Sequence, residues 1–215
     1  MTDRLERIFS LIPKCDVFAD IGCDHGYISE KVLKLGVAKK VYASDISALS
    51  LKKAKDLVGD GYEGSFFTFV SDGFDKLPKD VDVALIAGMG GEEICAILSA
   101  EKVLPKTLIL QPMKNTDKVR RLLIRLGYGI KRDFTFRSAN KYYDLIYADN
   151  GLIGALYTEL DYTYGKENVE NRGEDFLWFV KTKHSELSAA YGKVNSPEEK
   201  SRIRNILNEL EGFLQ

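Results

Sequence analysis

Short apolar runs alternate with helix-like stretches through the first 149 residues of this 215-residue chain. Runs rich in β-branched, aromatic and small apolar residues predict strands at residues 16–21, 40–46, 65–73, 82–91, 107–113, 131–137 and 142–149. Apolar residues at helical spacing separate most of these runs. Strands that alternate with helices favour an α/β fold with a mostly parallel sheet. The last two runs lack a long helix between them, so we expect an antiparallel hairpin at one edge.

The C-terminal residues follow a different pattern. From residue 165 onward there is no strand-like run, and two amphipathic stretches are joined by a short polar connection. The second stretch begins with Ser196 as a helix cap and Pro197 at the first helical position. The sequence therefore predicts an antiparallel helical hairpin at residues 165–215, after a first domain at residues 1–164.

The composition excludes several classes of protein. Hydrophobic residues make up 45% and charged residues 29%, which is typical of a globular chain, and the formal net charge is −1. There is no run of 18 apolar residues, and the three cysteines and two histidines show no metal-binding spacing. We expect no membrane span and no metal site. Sparse cysteines favour reduced thiols, and we expect a cytoplasmic monomer.

The turn after the first predicted strand combines glycines with acids, in the sequence DIGCDHGY at residues 20–27. In open α/β sheets, ligands bind beyond the carboxyl ends of the strands. A dinucleotide fingerprint, G-x-G-x-x-G, requires glycine where this chain has Asp24. A carboxylate there would repel a pyrophosphate by on the order of 1–4 kcal/mol at ~4 Å. S-adenosylmethionine has no phosphate and carries a cationic sulfonium and ammonium, so the turn favours it over a dinucleotide.

Acids also follow the next two predicted strands. Asp45 lies 25 residues after Asp20, about where a Rossmann acid accepts hydrogen bonds from ribose hydroxyls. Asp72 ends the third predicted strand and can accept from an adenine amino group. The glycine segment AGMGG at residues 87–91 lets a base approach closely. Simple structural roles stay open for each: strand-end caps for the acids and a close helix–strand contact for the glycines.

A basic segment occupies residues 114–141, with nine lysines or arginines against two aspartates, and so carries a charge of +7. Basic stripes track phosphates, which indicates a nucleic-acid partner. A solvated charged helix face is the alternative. The candidates for substrate binding are Gln111, Lys114, Lys118, Arg120, Arg121, Arg125, Lys131 and Arg132.

The motifs DIGCDHGYIS, YASDI, SDG, IAGMGG and LILQPM occur in this order between residues 20 and 113. With this spacing, residues 5–148 resemble the bacterial tRNA (adenine(22)-N1)-methyltransferase family. The resemblance implies a Rossmann-like class I methyltransferase sheet, mostly parallel with an antiparallel last strand, and a coiled-coil-like C-terminal hairpin. It also implies S-adenosylmethionine as methyl donor and N1 of an adenine in tRNA as acceptor.

By motif position, the resemblance also implies a set of site residues. The cofactor-binding residues are Asp20, Gly22, Cys23, Asp24, His25, Gly26, Asp45, Ile46, Asp72, Gly73, Ala87, Gly88 and Met89. The candidates for catalysis are Asp24, near the sulfonium, with His25 and Tyr27 to orient or stack on the target adenine. Where the family often has asparagine and proline, this chain has Met113 and Ser29.

Adenine N1 has an in-plane lone pair and attacks a methyl group without prior deprotonation, so we expect catalysis to consist largely of positioning. Other functions stay open at this stage. One is methylation of another RNA base or of a small molecule. Another is non-catalytic RNA binding by a protein that keeps the fold. A nicotinamide oxidoreductase is disfavoured by Asp24.

Overall fold

The computed structural model describes residues 1–151 and 155–215. The strands in these residues are β1 (Cys15–Ile21), β2 (Ala38–Asp45), β3 (Phe66–Val70), β4 (Val83–Met89), β5 (Thr107–Pro112), β6 (Gly129–Ser138) and β7 (Lys141–Asp149). The helices are α1 (Asp3–Phe9), α2 (Tyr27–Lys34), α3 (Ala48–Val58), α4 (Gly91–Ala100), α5 (Thr116–Arg125), α6 (Glu159–Tyr164), α7 (Lys166–Asn171), α8 (Glu174–Tyr191) and α9 (Pro197–Leu214).

The seven strands form one sheet in the order β3-β2-β1-β4-β5-β7-β6. Strands β1 to β5 are mutually parallel, and β7 runs antiparallel to both of its neighbours, β5 and β6. Chain order reverses between β1 and β4, and this switch point is where open α/β sheets bind ligands. The predicted Rossmann-like sheet with an antiparallel last strand is confirmed, and β7 lies inside the edge strand β6.

Helices cover both faces of the sheet, so the central strands are apolar on both sides. In β5, Leu108 and Leu110 enter one core cluster while Ile109 enters the other, and all three are fully buried. Because successive strand residues face opposite sides, this run of three apolar residues requires cover on each face. A fully buried side chain of this size contributes about 1.5–3 kcal/mol of hydrophobic stabilisation.

Caps fix several helix ends. Ser47 precedes α3, and its hydroxyl accepts a hydrogen bond from the Ser50 amide at 3.2 Å. The apolar pattern of residues 92–104 extends past the observed end of α4 at Ala100. The helix stops there because Glu101 has extended backbone and its carboxylate accepts from the amides of Lys102 and Val103 instead.

The C-terminal helices α8 and α9 run antiparallel: the rings of Phe176 and Phe213 lie 5.1 Å apart, and Arg204 bonds to Tyr191 at the other end. The hairpin predicted from residue 165 begins at Glu174. Residues 159–171 instead form α6 and α7, which pack against α5 and β6. The division at residue 164 and the coiled-coil character of the hairpin stay predictions. The predicted first domain includes residues 152–154, which lie outside the described residues.

Candidate functional site

A cleft of about 420 Å³ lies beyond the carboxyl ends of β1 to β4. Every predicted cofactor residue except Gly26 lines it. Gly26 (φ +74°) serves the fold, because a Cβ there would lie 2.7 Å from the Cβ of Ala54 on α3. The predicted catalytic residue Tyr27 also lines the cleft. The structure thus brings the acids and glycines of four strand ends together.

The first turn is held against β2 by its own backbone amides. The N–H groups of Gly22 and Cys23 donate to the Ser44 carbonyl at 2.8 and 3.0 Å. The N–H of Asp24 donates to the Asp45 carboxylate at 3.1 Å. A phosphate-binding turn needs such amides free to point at the anion. Since these three N–H groups already have partners within the protein, the turn is unsuited to a pyrophosphate.

Asp20 is the buried acid of the cleft, with 6% of its surface exposed. The hydroxyl of Ser29 donates to its carboxylate at 2.7 Å. Burial raises the pKa of Asp20 to about 6, although the Ser29 hydrogen bonds oppose the shift. A cation placed beside this carboxylate would favour its charged form. Ser29, which stands where the family often has proline, supplies a hydrogen bond that proline lacks.

The three predicted catalytic residues lie together at the cleft. The Asp24 carboxylate is 2.7 Å from Nδ1 of His25, which keeps a proton on that nitrogen. Nε2 of His25 lies 3.5 Å from the amine of Lys53. The rings of His25 and Tyr27 stack, with centroids 5.8 Å apart and planes inclined by 12°. The pair presents a flat, half-exposed surface to a ligand, and its role in catalysis stays a prediction.

The opposite side of the cleft suits a nucleoside. Asp45 is fixed by the amides of Asp24 and Ser47, at 3.1 and 2.8 Å. The next residue, Ile46, is 76% exposed, and an exposed apolar side chain beside an oriented carboxylate can contact a flat ring and its ribose. Asp72 and Gly73 complete this side.

Two glycines make close approaches that a side chain would block. A Cβ on Gly22 (φ +70°) would lie 2.0 Å from Cε of Met89, across the cleft. A Cβ on Gly91 would lie 2.3 Å from the Asn115 carbonyl oxygen. The close structural contact considered for the AGMGG segment therefore applies to Gly91, whereas Gly88 forms a bulge in β4 that lines the cleft.

The basic segment differs from its prediction, most of all at Arg120. This side chain is fully buried, so its expected place on a phosphate-binding surface is wrong. Its Nε donates to both carboxylate oxygens of Asp133 at 2.9 and 3.0 Å, and Nη1 donates to the carbonyls of Tyr162 and Thr163. Burial disfavours the charge, but Asp133 and Asp144 outweigh it and raise the pKa of Arg120.

Three other predicted substrate residues pair with carboxylates: Lys118 with Glu92, Arg121 with Glu159, and Arg132 with Glu167. Lys114, Arg125 and Lys131 have no carboxylate partner within the described part of the chain. Arg125 and Lys131 lie toward the end of the sheet opposite the cleft, because α5 runs from the cleft to that end and β6 begins at that end. Of these three residues, Lys114 lies at the cleft end of the sheet, where its Cε would be 3.3 Å from a Cβ placed on Gly90.

The predicted substrate-binding position of Gln111 is also wrong. It is fully buried and does not line the cleft; its Oε1 accepts a hydrogen bond from Nη1 of Arg4 at 2.5 Å. Arg4 itself was missed, because no local pattern links α1 to a cleft formed more than 15 residues later. The other lining residues without a prediction are Leu5, Ile21, Ile28, Ser71, Leu85, Glu93 and Ile97.

The acidic lining of the cleft fits the cationic cofactor S-adenosylmethionine. Four aspartates line the cleft, and none of them pairs with a lysine or arginine in residues 1–151 and 155–215. Within the same residues no cluster of three or more histidines, cysteines or acids could hold a metal ion. None of the described helices combines the length and hydrophobicity needed to cross a bilayer. The fold and the acidic cleft define a class I, S-adenosylmethionine-dependent methyltransferase.

Comparison with known proteins supports this class and narrows it. A family model described as a methyltransferase domain matches residues 1–146. A Mycoplasma pneumoniae protein named as a candidate tRNA methyltransferase is 31% identical over 216 residues, covering 98% of this chain and 100% of the relative. The tRNA (adenine(22)-N(1))-methyltransferase of Bacillus subtilis is 29% identical over 170 residues, covering 77% and 71%.

A solved structure has the same fold along nearly the whole chain. The structure of M. capricolum TrmK with S-adenosyl-homocysteine has a TM-score of 0.90 at 24% identity, covering 99% of this chain and 97% of that chain. The chain belongs to the methyltransferase family that includes the Bacillus subtilis tRNA (adenine(22)-N(1))-methyltransferase. The resemblance inferred from the motifs is confirmed.

Proposed function

We propose that this protein transfers a methyl group from S-adenosylmethionine to N1 of adenine 22 in tRNA. One observation carries the proposal: the cleft at the switch point is lined by four aspartates, and the amides of Gly22, Cys23 and Asp24 in its first turn already bond within the protein. The likeness to the Bacillus subtilis enzyme supports the choice of tRNA and of the methylated atom.

Three aspartates of the cleft have roles that follow from their positions. S-adenosylmethionine, when bound, supplies the methyl group. Asp45 accepts hydrogen bonds from the ribose hydroxyls, and Asp72 accepts from the adenine amine of the cofactor. Asp20 faces the positive charges, which favour its ionised form. The lone pair of adenine N1 attacks the methyl group without loss of a proton, so the site needs no general base.

The remaining task is to hold the target base, and the stacked His25 and Tyr27 are suited to it. Their parallel rings offer a stacking surface for an adenine taken out of its helical context. The hydrogen bond from His25 to Asp24 fixes the imidazole orientation. The Asp24 carboxylate also lies where it can stabilise the positive charge that methylation leaves on the base.

The protein has a basic surface for the tRNA backbone at the same end of the sheet as the cleft. Lys114 follows β5 directly, and Arg137 and Lys141 flank the turn between β6 and β7, which points the same way because β6 is parallel to β5. The Arg137 guanidinium lies 5.3 Å from the ring centroid of Trp178 on α8. A tRNA docked here would extend from the cleft toward the helical hairpin.

The proposal is tested with the purified protein and two tRNA transcripts that differ only at position 22, one with adenine and one with guanine. Nucleoside analysis by mass spectrometry should find 1-methyladenosine in the first transcript and none above background in the second. Equal methylation of both transcripts would assign a different base. Calorimetry should show binding of S-adenosylmethionine and none of NAD.

Asp24→Ala separates chemistry from cofactor binding. If Asp24 stabilises the methylated base, turnover at saturating S-adenosylmethionine falls, in addition to any loss of cofactor affinity; normal turnover at saturation would remove Asp24 from the mechanism. A tRNA substrate also implies the cytoplasmic location expected from the sequence. The predicted monomeric state is measured by light scattering.

A further inference from the structure

A second groove, of about 460 Å³, opens beside the cofactor cleft, between the loop after β5, the start of β7 and α8. This side groove is lined by residues 112–117, 142–144, 163, 179 and 183, and none of these residues lines the cleft. The two sites are neighbours, because the ring centroid of Tyr143 in the side groove lies 5.7 Å from the guanidinium of Arg4 in the cleft. The cofactor and the target adenine occupy the cleft, so the side groove needs another occupant.

One wall of the side groove is aromatic. Tyr142 contacts Phe179 and Trp178 on α8 at inclined angles, with ring centroids 4.5 and 6.4 Å apart. These contacts hold the Tyr142 ring in place, yet 40% of the residue stays exposed. An oriented, exposed ring is a stacking surface, and every nucleobase has a face that can stack on it.

Two lysines line the side groove on different walls. Lys114 follows β5, and its Cε would lie 3.3 Å from a Cβ on Gly90. Since Gly90 follows Met89, which lines the cleft, the Lys114 side chain lies between the two sites. Lys183 on α8 has one loose, exposed pair, with Glu186 at 3.5 Å, and such a pair contributes little. Both amines can therefore contact phosphate groups.

The side groove also offers polar groups for the edge of a base. Oδ1 of Asp144 accepts from the Thr135 hydroxyl at 2.7 Å, whereas Oδ2 has no hydrogen bond within the described residues. The nearest cation to Oδ2 is Nη2 of Arg120 at 3.7 Å, which is too long for a hydrogen bond, and Nη2 is itself a buried donor without a partner. The side chain of Asn115 caps no amide of α5. A free carboxylate oxygen and a free amide are groups that pair with base edges.

The charge of the side groove differs from that of the cleft. Its lining has two lysines and two aspartates, Asp117 and Asp144, whereas the cleft has five acidic side chains and one arginine. A second cationic cofactor would find no acidic surplus in the side groove. Balanced charge beside an aromatic wall instead suits a nucleotide, which has an anionic phosphate and a neutral base.

We propose that the side groove binds a second nucleotide of the tRNA, next in the chain to the adenine that enters the cleft, an inference that rests on the proposed function. The base stacks on Tyr142 and its edge donates to Asp144. Lys114 contacts the phosphate between the two nucleotides, and Lys183 contacts the phosphate on the far side. Extraction of the target adenine removes a stacking partner from its neighbour, and the side groove replaces that partner.

The test uses three tRNAs that all have adenine at position 22: one complete, one abasic at position 21 and one abasic at position 23. Single-turnover methylation at saturating S-adenosylmethionine gives the affinity for each tRNA. One abasic tRNA should bind roughly fivefold to a hundredfold more weakly than the complete tRNA, as expected for the loss of one stacked base.

Tyr142→Leu removes the stacking surface but keeps apolar contact with Phe179. It should weaken binding of the complete tRNA by a similar factor and binding of that abasic tRNA no further, because both changes remove the same contact. Tyr142→Phe keeps an aromatic face and should bind like the unmodified protein. Circular dichroism and S-adenosylmethionine affinity should stay unchanged in both variants, since Tyr142 does not line the cleft.

Lys183→Gln should reduce the slope of log tRNA affinity against log salt by about 1. Lys181→Gln is the matched control, because Lys181 is exposed on the same helix and lies outside the side groove, and it should keep the original slope. Equal slopes in the two variants would remove Lys183 from the proposed site.

Additive losses for Tyr142→Leu and both abasic tRNAs would overturn the inference and leave Tyr142 a role in holding α8. Equal affinity for all three tRNAs would overturn it as well. A protein that binds S-adenosylmethionine and methylates none of the three tRNAs would contradict the proposed function itself, and the inference with it.

Discussion

The acidic cleft and the basic segment at residues 114–141 both show one sign of charge in the sequence, yet the folded protein treats them differently. Asp20 and Asp45 accept hydrogen bonds from nearby hydroxyl and backbone groups, Asp24 contacts His25, and none of the four cleft aspartates pairs with a lysine or arginine in the described residues. Four cations of the basic segment pair with carboxylates from other elements. Unpaired charge, rather than charge density along the sequence, marks where a ligand binds.

The largest effect is expected for Arg120, the buried cation of the basic segment. Arg120→Ala leaves Asp133 buried without its cation, which should lower the free energy of unfolding by about 3–5 kcal/mol. Urea denaturation followed by circular dichroism measures it. Arg121→Ala is the control, because its pair with Glu159 is exposed, and its stability should match that of the unmodified protein. A stable Arg120→Ala protein with weakened tRNA binding would restore Arg120 to the substrate surface.

The next effect concerns the glycine turn. Gly22→Ala and Gly36→Ala both place a side chain at positive φ, +70° and +60°, so both should be destabilised by about 1–2 kcal/mol. Only the first also pushes a Cβ against Met89 in the cleft, whereas Gly36 has open space around it. Calorimetry should show at least a tenfold loss of S-adenosylmethionine affinity for Gly22→Ala alone. Equal affinities in the two variants would show that the turn does not shape the cofactor site.

The third effect depends on pH. Burial raises the pKa of Asp20 from its usual 3.8 to about 6, so the folded free protein keeps a proton that the unfolded chain releases between these values. The stability contributed by Asp20 should therefore fall as pH rises from about 4 to 6. Affinity for the cationic cofactor should change in the opposite direction, weakening by roughly tenfold per pH unit below about 6.

Calorimetry and thermal denaturation between pH 4 and pH 8 follow both trends in the same buffers. Asp20→Asn removes the titrating group, so its cofactor affinity should lose this dependence. A variant that keeps the full pH dependence would assign the titration to another residue.

The smallest effect distinguishes paired from unpaired lysines of the basic segment. Lys114→Ala should weaken tRNA binding by about threefold to tenfold and reduce the slope of log affinity against log salt by about 1. Lys118→Ala should change both values less, because Glu92 already offsets its charge. Filter binding at several salt concentrations measures the slopes. Equal effects would indicate that Glu92 releases Lys118 when tRNA binds.

Local sequence predicts those parts of the molecule whose partners are close in the chain. Alternating strands and helices gave the sheet, and Ser47 marked the start of α3 because a cap bonds to an amide three residues away. The cofactor turn was predictable for the same reason. Asp24 and Asp45 belong to consecutive strand ends, and parallel strands place such ends side by side.

The missed features depend on partners far away in the chain. Arg4 reaches Gln111 across 107 positions, and no periodicity connects them. In the sequence Arg120 is one cation in a basic run. The carbonyls of Tyr162 and Thr163 that accept its hydrogen bonds belong to α6, about 40 residues later, so the sequence around Arg120 does not show its burial. The same applies to Glu159 and Glu167, which neutralise Arg121 and Arg132.

The position of β7 between β5 and β6 also affects how the chain folds during synthesis. A nascent chain that ends after β5 exposes that strand as a bare edge, with apolar Leu108, Ile109 and Leu110 beside unpaired backbone groups. The edge is closed only when β7, the last strand made, inserts antiparallel against it. A ribosome that stalls before residue 149 therefore releases a chain prone to aggregate, although its cofactor turn is already complete.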